Sequence, residues 1–542
     1  TDIREYMERV TMGLLSAIRV LGTLPIIRCA PGGAAEMCAQ SLYTALCDNC
    51  TPRGPAYSLF TDCLVSNTNS SSDYSSTAGA ISNRPLLLIF DRASDLTPPL
   101  MHSESYQALI DDLLDHKLNR VNVDLSMKDG TKAKKTYDVN TTTDLFFAKY
   151  AGSSFPDAVE ANETELGEVS TQENDIKSRS SMGAAAGGGA GGQAGDVLGK
   201  DIESLPEILA RKANLEAHTN ILQALMKSIA TREVHTYTQV EGVMKMAEVL
   251  ELLEDGSKGS IADKARLLVL ALSQLAGTGV PMVTPEFKSA HGSDVTTFAI
   301  DNEYEDGFIS GAIGVLKAQQ QAEGKTADAP LDYTEINDIL GAMCFIKQCL
   351  SLSSPLDYMR PSGGGTGRSD AFSSLLSSAS SHITSQASNL LAKATTFFSR
   401  FNPLLVTKIV DSLAEGRSCP ENETYCCLDP RSKLMNTNQH DIGAYKTMRF
   451  PDVIVFTLGG GCYNEYYNIM ELVKHKLSAS GGGNSNTPVL QNTSLNSGTS
   501  YFPRNLMYGC TELVSGEKFL GQLKQLGSKP PATTGSGTTA SK

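Results

Sequence analysis

The stretch FPDVIVFTLGGGCYNEYYNIMEL (450–472) decides the fold. A short apolar run, Val453 to Leu458, stops at Gly459-Gly460-Gly461 and gives way to a helical pattern. Such a run, closed by a glycine turn, is the signature of a buried strand feeding a helix. Matching runs lie near the other end of the chain, at LPIIRC (24–29) and RPLLLIFDR (84–92). Strands that pair are usually close in sequence, so a sheet interrupted by about 360 residues implies an α/β domain with a large insertion.

The 542-residue chain exceeds the usual size of one core, so two or three domains are expected. It carries 46 basic and 60 acidic residues, net −14. Phosphate backbones need a basic stripe, and none stands out, so nucleic acid is not an expected partner. No N-terminal leader pattern precedes the amphipathic helix that starts at Thr1-Asp2-Ile3. No apolar run reaches the roughly 18 residues of a membrane span; Leu14 to Ile27 is interrupted by Arg19. The expectation is a cytoplasmic chain that meets membranes only through partners.

Twelve cysteines are thinly spread, and only Cys47-x-x-Cys50 and Cys426-Cys427 cluster. A zinc site needs a second suitably spaced pair, so reduced thiols and no metal are expected. No cofactor motif is readable.

Along the chain, helix is expected over 1–22, strand over 24–28, helix over 34–46, strand over 86–90 and helix over 105–114. NVDLSM and KKTYDV, flanking Lys128-Asp129-Gly130, form a hairpin pattern over 121–139. The chain then reads as mostly helical to about residue 350. Leu205, Ile208, Leu209, Leu215, Ile221, Leu222, Leu225 and Ile229 keep helical spacing on one face. Ser204-x-x-Glu207 has the form of a capping box, and a further helix is expected from Asp263 to Leu275. Segments 178–199, 362–381, 478–500 and the tail from 528 are rich in Gly, Ala, Ser, Asn, Pro or Thr and read as flexible.

Asp91 and Asp95 follow a strand C-terminus, where α/β enzymes place ligands. The D-x-x-x-D spacing does not put both carboxylates on one metal; a surface Asp91-Arg92 and an N-cap at Asp95 is the plainer alternative. Gly459-Gly460-Gly461 lacks a following phosphate-binding pattern and reads as a tight turn. His102, His116 and His218 are isolated and suit packing or capping. No catalytic residue is assigned.

Six blocks, in order, carry a family resemblance: PIIRCAPGGAAEM (25–37), RPLLLIFDRASDLTPP (84–99), HSESYQALIDDLLDHKLNRVN (102–122), LPEILARKANLEAHTNI (205–221), FPDVIVFTLGGGCYNEY (450–466) and LMYGCTELVSGEKFLGQLKQLG (506–527). The chain resembles the Sec/Munc (SM) proteins, regulators of SNARE-driven membrane fusion, and within them the Sly branch of ER–Golgi transport. The resemblance implies an α/β plus α fold of SM type, an arch whose central parallel α/β domain is split by a large, mainly helical insertion domain. The central domain is expected over 1–96 and 450–527, the insertion over 97–449, and a disordered tail over 528–542. The family's N-terminal domain, which grips a syntaxin N-peptide, is expected to be missing ahead of Thr1.

Within the insertion the resemblance implies a helical hairpin with arms of about Leu145–Lys177 and Asp201–Glu233, joined by the 178–199 spacer. It is expected to hold SNARE helices in register, through Leu205, Pro206, Leu209, Lys212, Leu215 and His218. A proline disfavours helix at the preceding residue, so this arm is expected to start near 204. Asp91, Arg92, Asp95, His102, Tyr106, Gln107 and Gly459-Gly460-Gly461 form the family motif and are expected to be structural. Implied partners are syntaxin-type and vesicle SNAREs, assembled SNARE complexes, tethering factors and Rab GTPases. Two other readings stand beside SNARE chaperoning: a passive SNARE- and tether-binding scaffold, and an α/β enzyme using Asp91 and Asp95.

Overall fold

The computed structural model of the chain describes residues 3–49, 60, 84–126, 132–185, 193–255, 257–275, 342, 345, 403–430, 445–479 and 505–527. They fall into two compact units. One takes residues up to Leu100 and again from Phe401 to Phe519; the other takes Met101 to Ile346.

The first unit opens with α1 (Ile3–Leu21), β1 (Ile26–Cys29), α2 (Ala34–Asn49), β2 (Leu86–Asp91) and the short α3 (Thr97–Leu100). The second unit begins with α4 (Tyr106–Leu113). Then come β3 (Asp115–Lys117), β4 (Arg120–Ser126), β5 (Lys132–Asp138), α5 (Leu145–Tyr150), α6 (Phe155–Ala185) and α7 (Gln193–Arg232). It continues with α8 (Val234–Val243), α9 (Met246–Glu254) and α10 (Ile261–Leu275). The chain then returns to the first unit with α11 (Leu405–Glu415), α12 (Pro420–Thr424), β6 (Cys426–Leu428), β7 (Asp452–Leu458), α13 (Tyr463–Ala479) and β8 (Asn505–Cys510). The last helix, α14, covers Gly516–Gly527.

The main sheet has the order β6-β1-β2-β7-β8. β1, β2, β7 and β8 run parallel, and β6 pairs antiparallel with β1 at the edge. The late strand β7 thus sits inside the sheet, beside β2, with Leu86 opposite Val453 and Asp91 opposite Leu458. A parallel sheet covered on both faces demands continuous apolar strands, and Leu86 to Phe90 are all buried. On one face Ile27, Leu87 and Ile89 pack with Leu15 and Ile18 of α1 and Leu42 of α2. On the other, Leu86, Leu88 and Val455 pack with Ile409 and Leu413 of α11 and Ile469 of α13.

The α/β unit resumes earlier than residue 450. Residues 403–430 belong to it: α11 lies on the sheet and β6 adds its edge strand. β6 is three residues long with two cysteines, too short to show a period in sequence.

In the second unit β3, β4 and β5 form an antiparallel sheet, with Val121 opposite Tyr137. The 128–130 turn lies outside the described residues. The 178–199 segment departs from expectation: it is helical at 178–185 and 193–199, and 186–192 lie outside the described residues. Alanine, frequent here, is the strongest helix former, and it lengthens both arms. Segments 362–381, 480–500 and 528–542 also lie outside the described residues.

A second departure concerns Pro206. The arm does not start near 204; α7 runs unbroken through Pro206, and Ser204 sits within it rather than capping it. Proline's fixed φ is itself helical, so a helix already held on both sides tolerates it, at a cost of about 3 kcal/mol for the lost donor and the ring clash. The ring faces solvent, and the facing helix α6 packs along α7.

Candidate functional site

Two regions gather the residues singled out in the sequence. The first is the rim at the C-terminal ends of β2 and β7. Asp91 Oδ1 accepts from Ala93 N at 2.9 Å, and Oδ2 accepts from Ala34 N at 3.1 Å, at the start of α2. Gly32 N donates to Glu36 Oε2 at 2.6 Å. Gly459 N and Gly460 N both donate to Thr511 Oγ1 at 3.1 Å. Amides that would face a phosphate at such a rim are taken by side chains of the chain itself.

Gly459 and Gly460 have φ of 97° and 100°, and a Cβ on Gly461 would lie 2.3 Å from the Tyr508 hydroxyl. This is the steric reason for three glycines in succession. The turn lets Arg92 pass under it. Arg92 donates from Nε to Gly460 O (2.9 Å), from Nη1 to Asp95 O (2.8 Å) and from Nη2 to Glu465 Oε2 (2.6 Å). Tyr508 donates to the same Glu465 oxygen at 2.6 Å. Burial disfavours the Arg92 charge, and Glu465 more than offsets it. Asp95 Oδ1 accepts from Thr97 N (3.0 Å) and Oγ1 (2.6 Å), and burial pushes its pKa up to about 6. Asp91, Arg92 and Asp95 therefore fasten β2 to α2, β7 and α13.

The second region is the helical pair α6 and α7 with its base. At the base the Tyr106 hydroxyl lies 2.9 Å from His218 Nδ1, and His218 Nε2 donates to Asp144 Oδ2 at 2.7 Å. Asp144 also caps α5 by accepting from Phe147 N at 2.8 Å, and accepts from Asn214 Nδ2 at 2.9 Å. Burial opposes its charge, but these bonds, led by His218, hold its pKa below the ordinary value. Tyr106 is fully buried, which drives its own pKa well up. Next to it, Gln107 N donates to Ala151 O at 2.9 Å. The network joins α4, α5 and α7.

His102 is the centre of a second buried network. Its backbone N donates to Glu241 Oε2 (2.8 Å), its Nδ1 lies 2.6 Å from Glu241 Oε1, and its Nε2 lies 3.0 Å from Asp263 Oδ1. Burial and the Arg266 charge oppose a proton on the ring, but the two carboxylates outweigh them and its pKa rises. Asp263 also accepts from Arg232 and from Ser260 N and Oγ, at 2.8 Å for each Ser260 bond. Despite its burial, His102 and Arg232 hold Asp263 far below the usual carboxylate range. Arg266 in turn binds Asp112 at 2.9 and 3.0 Å and Met101 O at 2.9 Å. The end of α7, α8 and α10 are thus tied to the segment after α3.

Above this base, α6 and α7 are joined by Lys212 Nζ–Glu173 Oε2 at 2.6 Å and Arg211 Nη2–Glu165 Oε2 at 2.9 Å. The apolar face read from the sequence changes character along α7. Leu215, Ile221, Leu222, Leu225 and Ile229 are buried, whereas Leu205 and Ile208 are half-buried, Leu209 is 42% exposed and Pro206 is exposed. Of the six hairpin residues singled out, Leu205, Pro206 and Leu209 offer surface, Lys212 bridges the arms, and Leu215 and His218 lie inside. Asp144 is itself an N-cap signal, directly before Leu145-Phe146-Phe147. Glu241, Asp263 and Glu465 carry no local signal; only the fold brings them to His102 and Arg92.

Fold and rim define an α/β protein that fastens its two chain segments together and uses its rim amides internally. The Sec1 family model matches residues 1–522, and the chain belongs to the Sec1 family. It is similar to human Sec1 family domain-containing protein 1, 29% identical over 549 residues, covering 98% of this chain and 72% of the relative. It is also similar to protein sly1 of Schizosaccharomyces pombe, 28% identical, covering 97% and 71%. Among solved structures, Sly1p in complex with an N-terminal peptide of Sed5p matches with TM-score 0.56 and 21% identity, over 97% of this chain and 68% of that one. The SM protein Vps45 in complex with the Qa SNARE Tlg2 matches with TM-score 0.53 and 16% identity, over 97% and 70%. Among the described residues no helix is long and apolar enough to cross a membrane, and no group of three His, Cys, Asp or Glu is placed to hold a metal.

Proposed function

We propose that this Sec1-family chain binds SNAREs and templates their assembly for vesicle fusion between ER and Golgi, acting from the cytoplasmic side and without covalent chemistry. The observation that carries the reading is the apolar face of α7, which is core at its base and only partly covered from Leu205 to Leu209, with Leu205 and Ile208 half-buried and Leu209 exposed. A partner helix laid along this stretch completes the burial that α6 provides lower down, by helix-in-groove packing. Leu205, Pro206 and Leu209 are the contact residues. Leu215 and His218 position the helix from within, and Lys212 sets the distance between the arms.

The domains on this reading are an α/β domain from 1–100 and 403–519 and an inserted helical domain beginning at Met101. Syntaxin-type and vesicle SNAREs are the partners, with tethering factors and Rab GTPases as further ones. The human and yeast relatives and the SNARE-bound neighbours support this choice of partner class.

The test is assembly of purified ER–Golgi SNARE segments followed by fluorescence, with and without the chain. Acceleration of the matched set, lost in Leu209→Asp, is the expected result. Binding without acceleration would replace templating by a passive scaffold. Unimpaired function after replacing Leu205 and Leu209 together would remove α7 as the site.

A further inference from the structure

β1 and β6 lie antiparallel, and their register sets Cys29 opposite Cys426 and Arg28 opposite Cys427. Successive residues of a strand point to opposite faces. Cys29 and Cys426 share the face under α1 and α2, whereas Cys427 belongs to the other face. Directly opposed side chains have Cβ atoms about 4.5–5.5 Å apart. A disulfide needs about 3.5–4.5 Å between Cβ atoms, so a small strand adjustment suffices. Cys29 is buried and Cys426 half-buried, so one is open to solvent and the other waits behind it. The eight described cysteines are all free thiols.

We infer that Cys29 and Cys426 form a reversible thiol–disulfide site whose oxidant is a low-molecular-mass disulfide. The Cys426 thiolate attacks one sulfur of the oxidant, forming a mixed disulfide and releasing one small thiol. The Cys29 thiolate then attacks the Cys426 sulfur, breaking the mixed bond and releasing the second small thiol. The protein loses two hydrogens, and the oxidant is reduced to two thiols.

The cross-link joins the first strand of the sheet to the edge strand delivered after the insertion. It closes a loop of about 400 residues, which restricts the unfolded chain strongly. Burial pushes Cys29 up to about 12, and burial together with Glu36 raises Cys426, whose thiol donates to Glu36 Oε1 at 3.6 Å. The raised values keep the attacking thiolate scarce near neutral pH, so the exchange quickens as pH rises.

The experiment treats the intact chain with oxidised glutathione, alkylates remaining thiols and maps disulfides by mass spectrometry. The expected product is a Cys29–Cys426 cross-link, reversed by dithiothreitol, with a raised melting temperature. Cys29→Ser should stop at a glutathione adduct on Cys426, and Cys427→Ser should leave the cross-link intact. Melting of each reduced variant establishes that it is folded. A persistent Cys426 adduct in the wild type, or cross-links shared equally with Cys419 and Cys427, overturns the inference.

Discussion

Arg92 Nη2 and Glu465 Oε2 lie 2.6 Å apart, both buried, although 373 residues separate them in sequence. This bond, with the Tyr508 hydroxyl on the same oxygen, fastens the strand before the insertion to the helix after it.

Removing one partner leaves a buried charge unpaired, which costs about 3–5 kcal/mol. Glu465→Gln is therefore expected to lower the melting temperature of the α/β unit strongly. Arg92→Met combined with Glu465→Leu should be milder than the sum of the single changes. Thermal unfolding of Glu465→Gln, the two single changes and the double checks this, and additive losses would show that the two residues act independently.

His102 gives the second unit a pH dependence with a definite sign. Its pKa is raised above the ordinary 6.5 in the folded state. The stabilisation is thus complete below 6.5 and is lost as pH rises through the higher folded value. Asp263 has the opposite sign: its folded pKa is depressed, so its contribution is complete above the ordinary 3.8 and fades as pH falls below it. His102→Asn should lower stability at pH 6 and flatten the decline toward pH 9. An NMR titration showing a neutral His102 ring at pH 6 would refute this.

Tyr106→Phe removes the partner of His218 Nδ1 without changing volume much. A buried acceptor left unsatisfied costs about 1–3 kcal/mol. Hydrogen exchange should quicken across α5 and the base of α7 and stay unchanged in the α/β unit.

Pro206→Ala restores a backbone donor inside α7 and removes the ring clash, a gain of up to about 3 kcal/mol in helix stability. Amide protection should rise over residues 202–210. If α7 is the docking helix, affinity for the vesicle SNARE should rise with it. Greater protection with unchanged affinity would separate helix extension from partner binding.

Much of the fold was legible in the residues. Continuous apolar runs placed β1, β2 and β7, because strands buried on both faces have no polar alternation to hide them. Asp144 and the apolar face from Leu215 to Ile229 carried local signals. β6 did not, being three residues at a sheet edge. Pro206 pointed the wrong way, because a helix packed along α6 carries a penalty that would end an isolated one.

The sequence by itself determined that β1, β2 and β7 are strands, that one sheet is split by a long insertion, and which residues line the apolar face of α7. Local pattern suffices there, since burial on a strand or helix face is written in spacing. Only the tertiary structure decided that Arg92 meets Glu465, that His102 sits between Glu241 and Asp263, and that Leu209 faces solvent while His218 lies inside. Those outcomes depend on contacts between residues far apart in the chain, and the energy of a buried charge is set by the partner it meets, not by its neighbours in sequence.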